Sequence, residues 1–290
     1  MRLSALNIHP VKSTAIRPVD EAYVGRAGLR GDREWMVVDS TGTLVSAREQ
    51  PSLFDVVADT PHTDASVTGA LRLRHPRLAD LALSPLEPQP VPVVLHKKDV
   101  LTTPAGAIAD QWLREAIGRD DVRLMWCDDP TRRGLNPAYA QPDDHTAFAD
   151  SAPLSLASTT SVRQLNDWTA ETALDLGEPA PEPLPVQRFR ANVIIEGADE
   201  PFAEDGWRRV RIGDVTFRVP APIDRCVMTT IDPASLDRGK EPIRTLARHR
   251  RWDGKTWFAV KLVPDGEGTI RVGDELTVRL TVSRRRTARC

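Results

Sequence analysis

Cys226 lies in the segment Ile223-Asp224-Arg225-Cys226-Val227-Met228-Thr229-Thr230-Ile231-Asp232-Pro233. A cysteine beside a fixed positive charge tends toward the thiolate, the form that attacks electrophiles and binds soft metals. A free cysteine is also among the most commonly buried small hydrophobes, so the segment alone leaves both roles open. Three cations stand at expected strand edges or turns: Lys12 in Pro10-Val11-Lys12-Ser13, Arg33 in Gly31-Asp32-Arg33-Glu34-Trp35, and Arg190 in Phe189-Arg190-Ala191-Asn192. Ser158-Thr159-Thr160-Ser161 reads as a helix start, with free backbone N–H groups and several hydroxyls. Such an end attracts anions, phosphate above all. Arginine suits bidentate contact with phosphate, and lysine acts as a point charge. Each of these groups also has a plain role as an N-cap or a solvated surface charge.

Other chemistries find less support. The six histidines, His9, His62, His75, His96, His145 and His249, form no pair at metal-ligand spacing with one another or with cysteine. Asp143, Asp144 and His145 make a local cluster of the kind that loop composition produces. There is no Gly-x-Ser-x-Gly elbow, and no pattern supports a Cys–His hydrolase. No glycine-rich phosphate loop follows a strand, which disfavours a dinucleotide or nucleoside-triphosphate fold.

Composition sets the frame. At 290 residues and 40% apolar, the chain can bury one large or two ordinary cores. A net charge of −2 and 5% aromatics argue against nucleic acid as a partner. Three cysteines, Cys127, Cys226 and Cys290, are too few for a disulfide framework, and one short of an ordinary iron–sulfur cluster. This favours a reduced, cytoplasmic setting. The N-terminus lacks a long apolar segment, and no stretch approaches the ~20 apolar residues of a membrane helix.

The elements that must position these groups are mostly strands. Leu3 to Asn7, Trp35 to Val38, Val56-Val57, Leu71 to Leu73, Leu81 to Leu83 and Val122 to Trp126 read as short strands. Pro85, Pro88, Pro90 and Pro92 make an extended stretch between them. Helices are expected from about Gly106 to Gly118, from Ser158 toward Gly177, and in a short basic stretch within Glu241 to Arg251. Asn136 to Asp150 reads as a long loop. Strands return at Val193 to Ile195, Val210 to Ile212, Val215 to Val219, Trp257 to Val263 and Leu276 to Val282, with a Gly213-Asp214 hairpin turn. The 24 prolines favour a loop-rich β protein with a few helices and no alternating βαβ series.

Taken in chain order, these segments resemble the MOSC family. The resemblance is to the group with an extra MOSC N-terminal domain, which includes the amidoxime-reducing components and bacterial relatives. It rests on Pro10-Val11-Lys12-Ser13, on Gly31 to Asp39, on Phe148-Ala149-Asp150 with Pro153-Leu154, Thr160-Ser161 and Leu165-Asn166, on Phe189 to Asn192, and on Arg225 to Pro233. It spans nearly the whole chain. It implies an α+β, mostly β architecture: a MOSC N-terminal β-barrel-like domain over 1–118 packed on a MOSC β-barrel over 119–283, followed by a basic tail over 284–290.

The resemblance also implies a molybdenum cofactor, with the metal held by the dithiolene of a molybdopterin. By position, Cys226 is the catalytic thiolate and the ligand to molybdenum. Lys12, Ser13, Arg33, Thr159, Thr160, Ser161, Arg190, Asn192 and Arg225 hold the pterin and its phosphate. Asp224 stands where a serine is common in the family, and Thr159 where an acidic residue can occur. The implied reaction reduces amidoximes, hydroxylamines and related N-hydroxylated compounds. With no iron–sulfur set in the chain, electrons are expected from a separate flavin reductase, ferredoxin or cytochrome. The competing function in the same family is sulfur handling, with a persulfide on Cys226; pyridoxal phosphate binding is a further family association.

Overall fold

The computed structural model describes residues 1–179 and 181–279. Its largest sheet is a barrel built from both ends of the chain. The strands run in the order Arg17–Val19, Arg2–Ile8, Val193–Glu196, Leu154–Ser158, Lys255–Pro264, Val215–Arg218, Arg209–Ile212 and Leu276–Arg279. The last strand returns to the second: Arg2 bridges Glu275, Leu276 N–H donates to Met1 O, and Leu3 exchanges bonds with Asp274 and Gly273. Closure removes a long exposed edge. The barrel interior is filled by Leu6, Ile8, Leu156, Val193, Ile195, Phe217, Val260 and Leu262, all fully buried.

One pair in this barrel is parallel. Leu154–Ser158 and Val193–Glu196 run side by side, joined by helix α2 (Thr159–Asp175). Parallel neighbours need a crossover, usually a helix, so this single βαβ unit follows from the pairing. Ser158 caps α2, its hydroxyl accepting from Thr160 N–H. Val162 and Leu165 pack on Phe189, Ile194 and Phe258.

A second, five-stranded sheet orders Val91–Leu95, Lys98–Pro104, Arg123–Trp126, Trp35–Val38 and Leu44–Val45. The unbroken apolar run Trp35-Met36-Val37-Val38 is explained here, because both faces of its strand are covered. Trp35 and Val37 face a core with Leu53, Leu71 and helix α1 (Ala107–Ile117). Met36 and Val38 face another, with Leu95 and Met125. Side chains alternate along a strand, so two buried faces require a continuous apolar run. Helix α1 ends where expected, at Gly118 in the left-handed region with φ 68°. The basic helix α3 shrinks to Ile243–His249.

The packing cores run across residue 118: Leu3, Leu6, Ile8, Val24 and Leu29 lie before it and belong to the barrel core, and Arg123–Trp126 lies after it and pairs with Trp35–Val38. The strand expected over Leu276 to Val282 is seen as Leu276–Arg279. The rest of it, the basic tail and Cys290 lie outside the described residues.

Candidate functional site

A cleft open to solvent, with a cavity volume of about 120 Å³, lies between the barrel and the second sheet. Lys12, Ser13, Arg33, Arg190, Asn192, Arg225 and Cys226 all line it. Three of these, Ser13 (φ 73°), Arg33 (φ 52°) and Arg190 (φ 51°), are non-glycine residues in the left-handed region. That conformation costs energy unless the surroundings impose it, and it clusters at functional sites. The surroundings do impose it at Arg33. Its N–H donates to His9 O at 2.7 Å, and its carbonyl accepts from Phe148 N–H at 2.9 Å.

The guanidinium of Arg33 joins the two halves of the chain. It donates to Asn192 Oδ1 at 3.1 Å and to Arg190 O at 3.2 Å, and pairs with Asp32. Asn192 passes the link on: its Oδ1 also accepts from Ser155 N–H, and its Nδ2 donates to Asn7 O at 3.1 Å. Behind them, His9 is fully buried, and its Nδ1 meets Asp32 at 3.1 Å. Burial, with Arg33 and Arg190 nearby, pushes the His9 imidazole down to about 3, so it is neutral at physiological pH. Burial opposes the charge on Asp32, but Arg33 and His9 win and hold it at about 2.

The other cations are also held from behind. Arg190 donates to Thr14 O at 2.7 Å and lies over the Phe54 ring; burial and the like charge of Arg33 push it down to about 9. Arg225 donates to Phe189 O at 2.8 Å, and burial pushes it down to about 10. Both stay cationic at neutral pH. Lys12 donates to Phe148 O at 2.8 Å and pairs with Asp150, which also meets His96 at 2.9 Å. Burial pulls the Lys12 ammonium down, and the Asp150 carboxylate partly offsets it. Desolvation works against the Asp150 charge, yet Lys12 and His96 outweigh it and hold the carboxyl well below its usual range. The lining carries seven cations, Lys12, Arg33, Arg48, Arg188, Arg190, Arg225 and Lys261, against only Asp150 and Asp224. In a chain of net charge −2, that local excess fits an anionic ligand.

Cys226 is exposed, so its sulfur is not core packing. A second guanidinium joins the Arg225 that the sequence sets beside it. Arg225 donates to Phe189 O at 2.8 Å, and Arg48 Nη1, from the loop after Leu44–Val45, points at Cys226 Sγ from 3.9 Å. Cys127 is buried, and desolvation pushes its thiol up to about 12, which leaves it inert.

Thr159, Thr160 and Ser161 do not line the cleft. Ser155, near the start of the strand Leu154–Ser158, reaches it; α2 begins past the far end. At about 3.3 Å per residue the strand sets Thr159 roughly 13 Å farther on. Thr159 instead lines a shallow depression with Arg2 and Arg163. Thr160 donates to Ala198 O at 3.2 Å, and Ser161 is buried with its hydroxyl on Glu204 at 2.8 Å. The three residues expected at a helix tip are absent from this lining, and Thr160 and Ser161 are bonded within the α2 crossover. The Asp143–His145 cluster is likewise structural, with Asp144 paired to Arg218 at 2.6 Å. Among the described residues no group of three or more His, Cys, Asp or Glu is placed to hold a metal ion.

Sequence reasoning passed over Ser46, Arg48, Asp150, Ser155, Arg188 and Lys261, which share the lining. Asp150 sat inside a quoted segment, beside Ala149. For Ser46 and Arg48 the only signal is their place just after a short apolar strand, where a chain turns toward an edge.

Two fused β units with a cationic, thiol-bearing cleft between them define the class of protein. The chain belongs to the MOSC family: the MOSC N-terminal beta barrel domain profile matches residues 1–120, and the MOSC domain profile matches 143–277. Mitochondrial amidoxime-reducing component 1 of Homo sapiens is 29% identical over 94% of this chain and 81% of its own length. Its counterpart in Danio rerio is 30% identical over 87% of this chain and 76% of that protein. Molybdenum cofactor sulfurase 2 of Culex quinquefasciatus is 31% identical over 90% of this chain, which spans 34% of that longer protein. No helix among the described residues is long and apolar enough to cross a membrane. Pyridoxal phosphate binding gains no support from the cleft or from these relatives' names.

Proposed function

We propose that this chain is a molybdenum-cofactor-dependent reductase of N-hydroxylated compounds, working with a separate electron-donating protein. The observation that carries the reading is the convergence of Lys12, Arg33, Arg190 and Arg225 on the cleft that bears the exposed Cys226.

The residues fit such a group. Ser13 Oγ, Ser46 Oγ, Arg188 Nε and Arg225 Nε are buried and have no hydrogen-bond partner, and all four residues line the cleft. Buried polar atoms are rarely left unpaired, so a ligand rich in acceptors and hydroxyls satisfies them. One cysteine with no cluster of other ligands suits a metal that arrives already held by an organic dithiolene. When bound, the cofactor supplies the two-electron chemistry of the reaction. Cys226 Sγ is the protein's ligand to the metal. Arg33, Arg190 and Arg225 hold negative charge on the pterin and its phosphate, each charge-assisted bond contributing roughly 1.5–3 kcal/mol. Asn192 and Asp32 fix Arg33, and Lys12 is fixed by Phe148 O and Asp150. The substrate enters from the open side of the cleft, where Cys226 is exposed.

The balanced reaction takes R–NH–OH, two electrons and two protons to R–NH2 and water. The electrons come from a flavin reductase, a ferredoxin or a cytochrome. The exposure of Cys226 also favours a second reading, a carrier with a persulfide on that sulfur. One experiment separates them. Purified protein is analysed for molybdenum, for pterin fluorescence after acid oxidation, and for cyanide-labile sulfur. Molybdenum near one per chain supports the reductase; absent molybdenum with labile sulfur supports the carrier.

A further inference from the structure

Arg48 differs from five of the other six cations of the cleft; Lys261 also has no carboxylate or carbonyl partner among the described residues, its Nζ lying over the Tyr139 ring. Lys12 pairs with Asp150 and Arg188 with Asp232; Arg33 has Asp32 and Asn192; Arg190 and Arg225 are bonded to backbone carbonyls. The Arg48 guanidinium has no carboxylate or carbonyl partner among the described residues, and its single polar contact is Cys226 Sγ at 3.9 Å. Its main chain is fixed. Arg238 donates to Arg48 O at 2.7 Å, and the Ser46–Glu49 turn is tied by Ser46 N–H to Glu49 and Glu49 N–H to Ser46 O. Ser46, at the start of the same turn, is fully buried with an unpartnered hydroxyl, and it lines the same cleft.

A fixed backbone, a free fork of N–H donors and a buried orphan hydroxyl form a built subsite that lacks its acceptor. We propose that Arg48 and Ser46 form an oxyanion subsite at Cys226 that receives the oxygen-bearing end of the substrate. The class of substrate it takes presents an oxygen acceptor beside nitrogen: a hydroxamate, or an N-hydroxyl compound whose N–O oxygen gains negative charge as the bond breaks. This rests on the reductase reading for its substrate. Arg48 steadies the departing oxygen by hydrogen bonding and charge. That oxygen leaves as water once the N–O bond has taken up two electrons from the redox protein and two protons from solvent. Ser46 donates to the same oxygen or to the group beside it. The cation comes from the N-terminal half and the sulfur from the C-terminal half, so the subsite exists only where the two meet.

The test reads charge selectivity at the sulfur. Full-length chain purified without cofactor is alkylated at Cys226 by iodoacetate and, separately, by iodoacetamide at one pH. The Cys226 peptide is followed by mass spectrometry. The ratio of the two rates cancels the thiolate fraction and the accessibility of the sulfur, and leaves the attraction of the site for an anion. Arg48→Gln is expected to lower the ratio roughly fivefold, the effect of one unit charge about 4 Å away in a water-like medium. Arg48→Lys is expected to restore most of it. An unchanged ratio in a folded Arg48→Gln protein overturns the proposal whether or not the wild type carries molybdenum. A lowered ratio with a wild type free of molybdenum keeps the subsite and removes the reductase reading. In cofactor-loaded protein, Arg48→Gln is expected to lower kcat/KM for a hydroxamate substrate with molybdenum content unchanged; a kcat/KM equal to wild type overturns the subsite's role in substrate binding.

Discussion

Arg33 Nη1 donates to Asn192 Oδ1 at 3.1 Å, across 159 positions of chain. This bond makes the cleft a joint product of the N-terminal segment and the barrel. A double-mutant cycle on Arg33→Ala and Asn192→Ala is expected to give a coupling energy of about 2 kcal/mol by denaturant unfolding, as for a hydrogen bond to a charged group. Arg33→Ala alone is expected to cost more, about 3–5 kcal/mol, because it leaves the buried Asp32 without its cation. Additive single effects would show that the contact is incidental.

Cys226→Ala tests the ligand role directly. The side chain is exposed and makes no core contact, so the thermal midpoint of the cofactor-free chain is expected to stay within about 1 °C of wild type. Reductase turnover is expected to vanish. Full turnover with full molybdenum occupancy would remove Cys226 from the site.

Much of this site was legible in the sequence, and the part that was not has a geometric cause. Lys12, Arg33, Arg190 and Cys226 carry their chemistry in their types, and their short segments fix local backbone, so each could be singled out. The helix start at Ser158 was also legible, down to the capping hydroxyl. Its position was not. A strand has two ends, and no local signal says which end faces a cleft; Leu154–Ser158 presents its start and hides its finish. The hairpin Val91–Leu95 to Lys98–Pro104 was missed for another reason. Its turn residues His96 and Lys97 adopt left-handed φ of 52° and 66° without the Asn-Gly or Asp-Gly that usually marks such a turn. Barrel closure by Arg2 on Glu275 is a contact between chain ends that periodicity cannot express.

The place of α2, outside the cleft lining, makes a prediction opposite to the sequence expectation. Thr159→Val and Thr160→Ala are expected to leave molybdenum and pterin content unchanged, whereas Arg190→Gln is expected to lower both. Ser161→Ala is expected to cost stability, about 1–3 kcal/mol, because the buried Glu204 loses its hydroxyl partner. Loss of cofactor in folded Thr159→Val protein would restore the helix tip to the site.

The buried His9–Asp32 pair gives the fold a pH dependence whose sign is fixed. The His9 imidazole ordinarily titrates near 6.5 and is pushed down to about 3 in the folded chain, chiefly by burial. Between those values the unfolded chain binds a proton that the folded chain does not, so acid favours unfolding. The contribution of His9 is fully present above pH 6.5 and is lost as pH falls toward 3, at up to about 1.4 kcal/mol per pH unit for one proton. Asp32, also held low, adds a loss in the same direction below its ordinary carboxyl range. Urea unfolding of wild type between pH 7 and 5 is expected to show that slope, and His9→Gln to flatten it while lowering stability at pH 7, since glutamine keeps a donor for Asp32 but does not titrate. Equal slopes in the two proteins would mean that His9 is already protonated in the folded chain, and that the pair behind Arg33 is ionic.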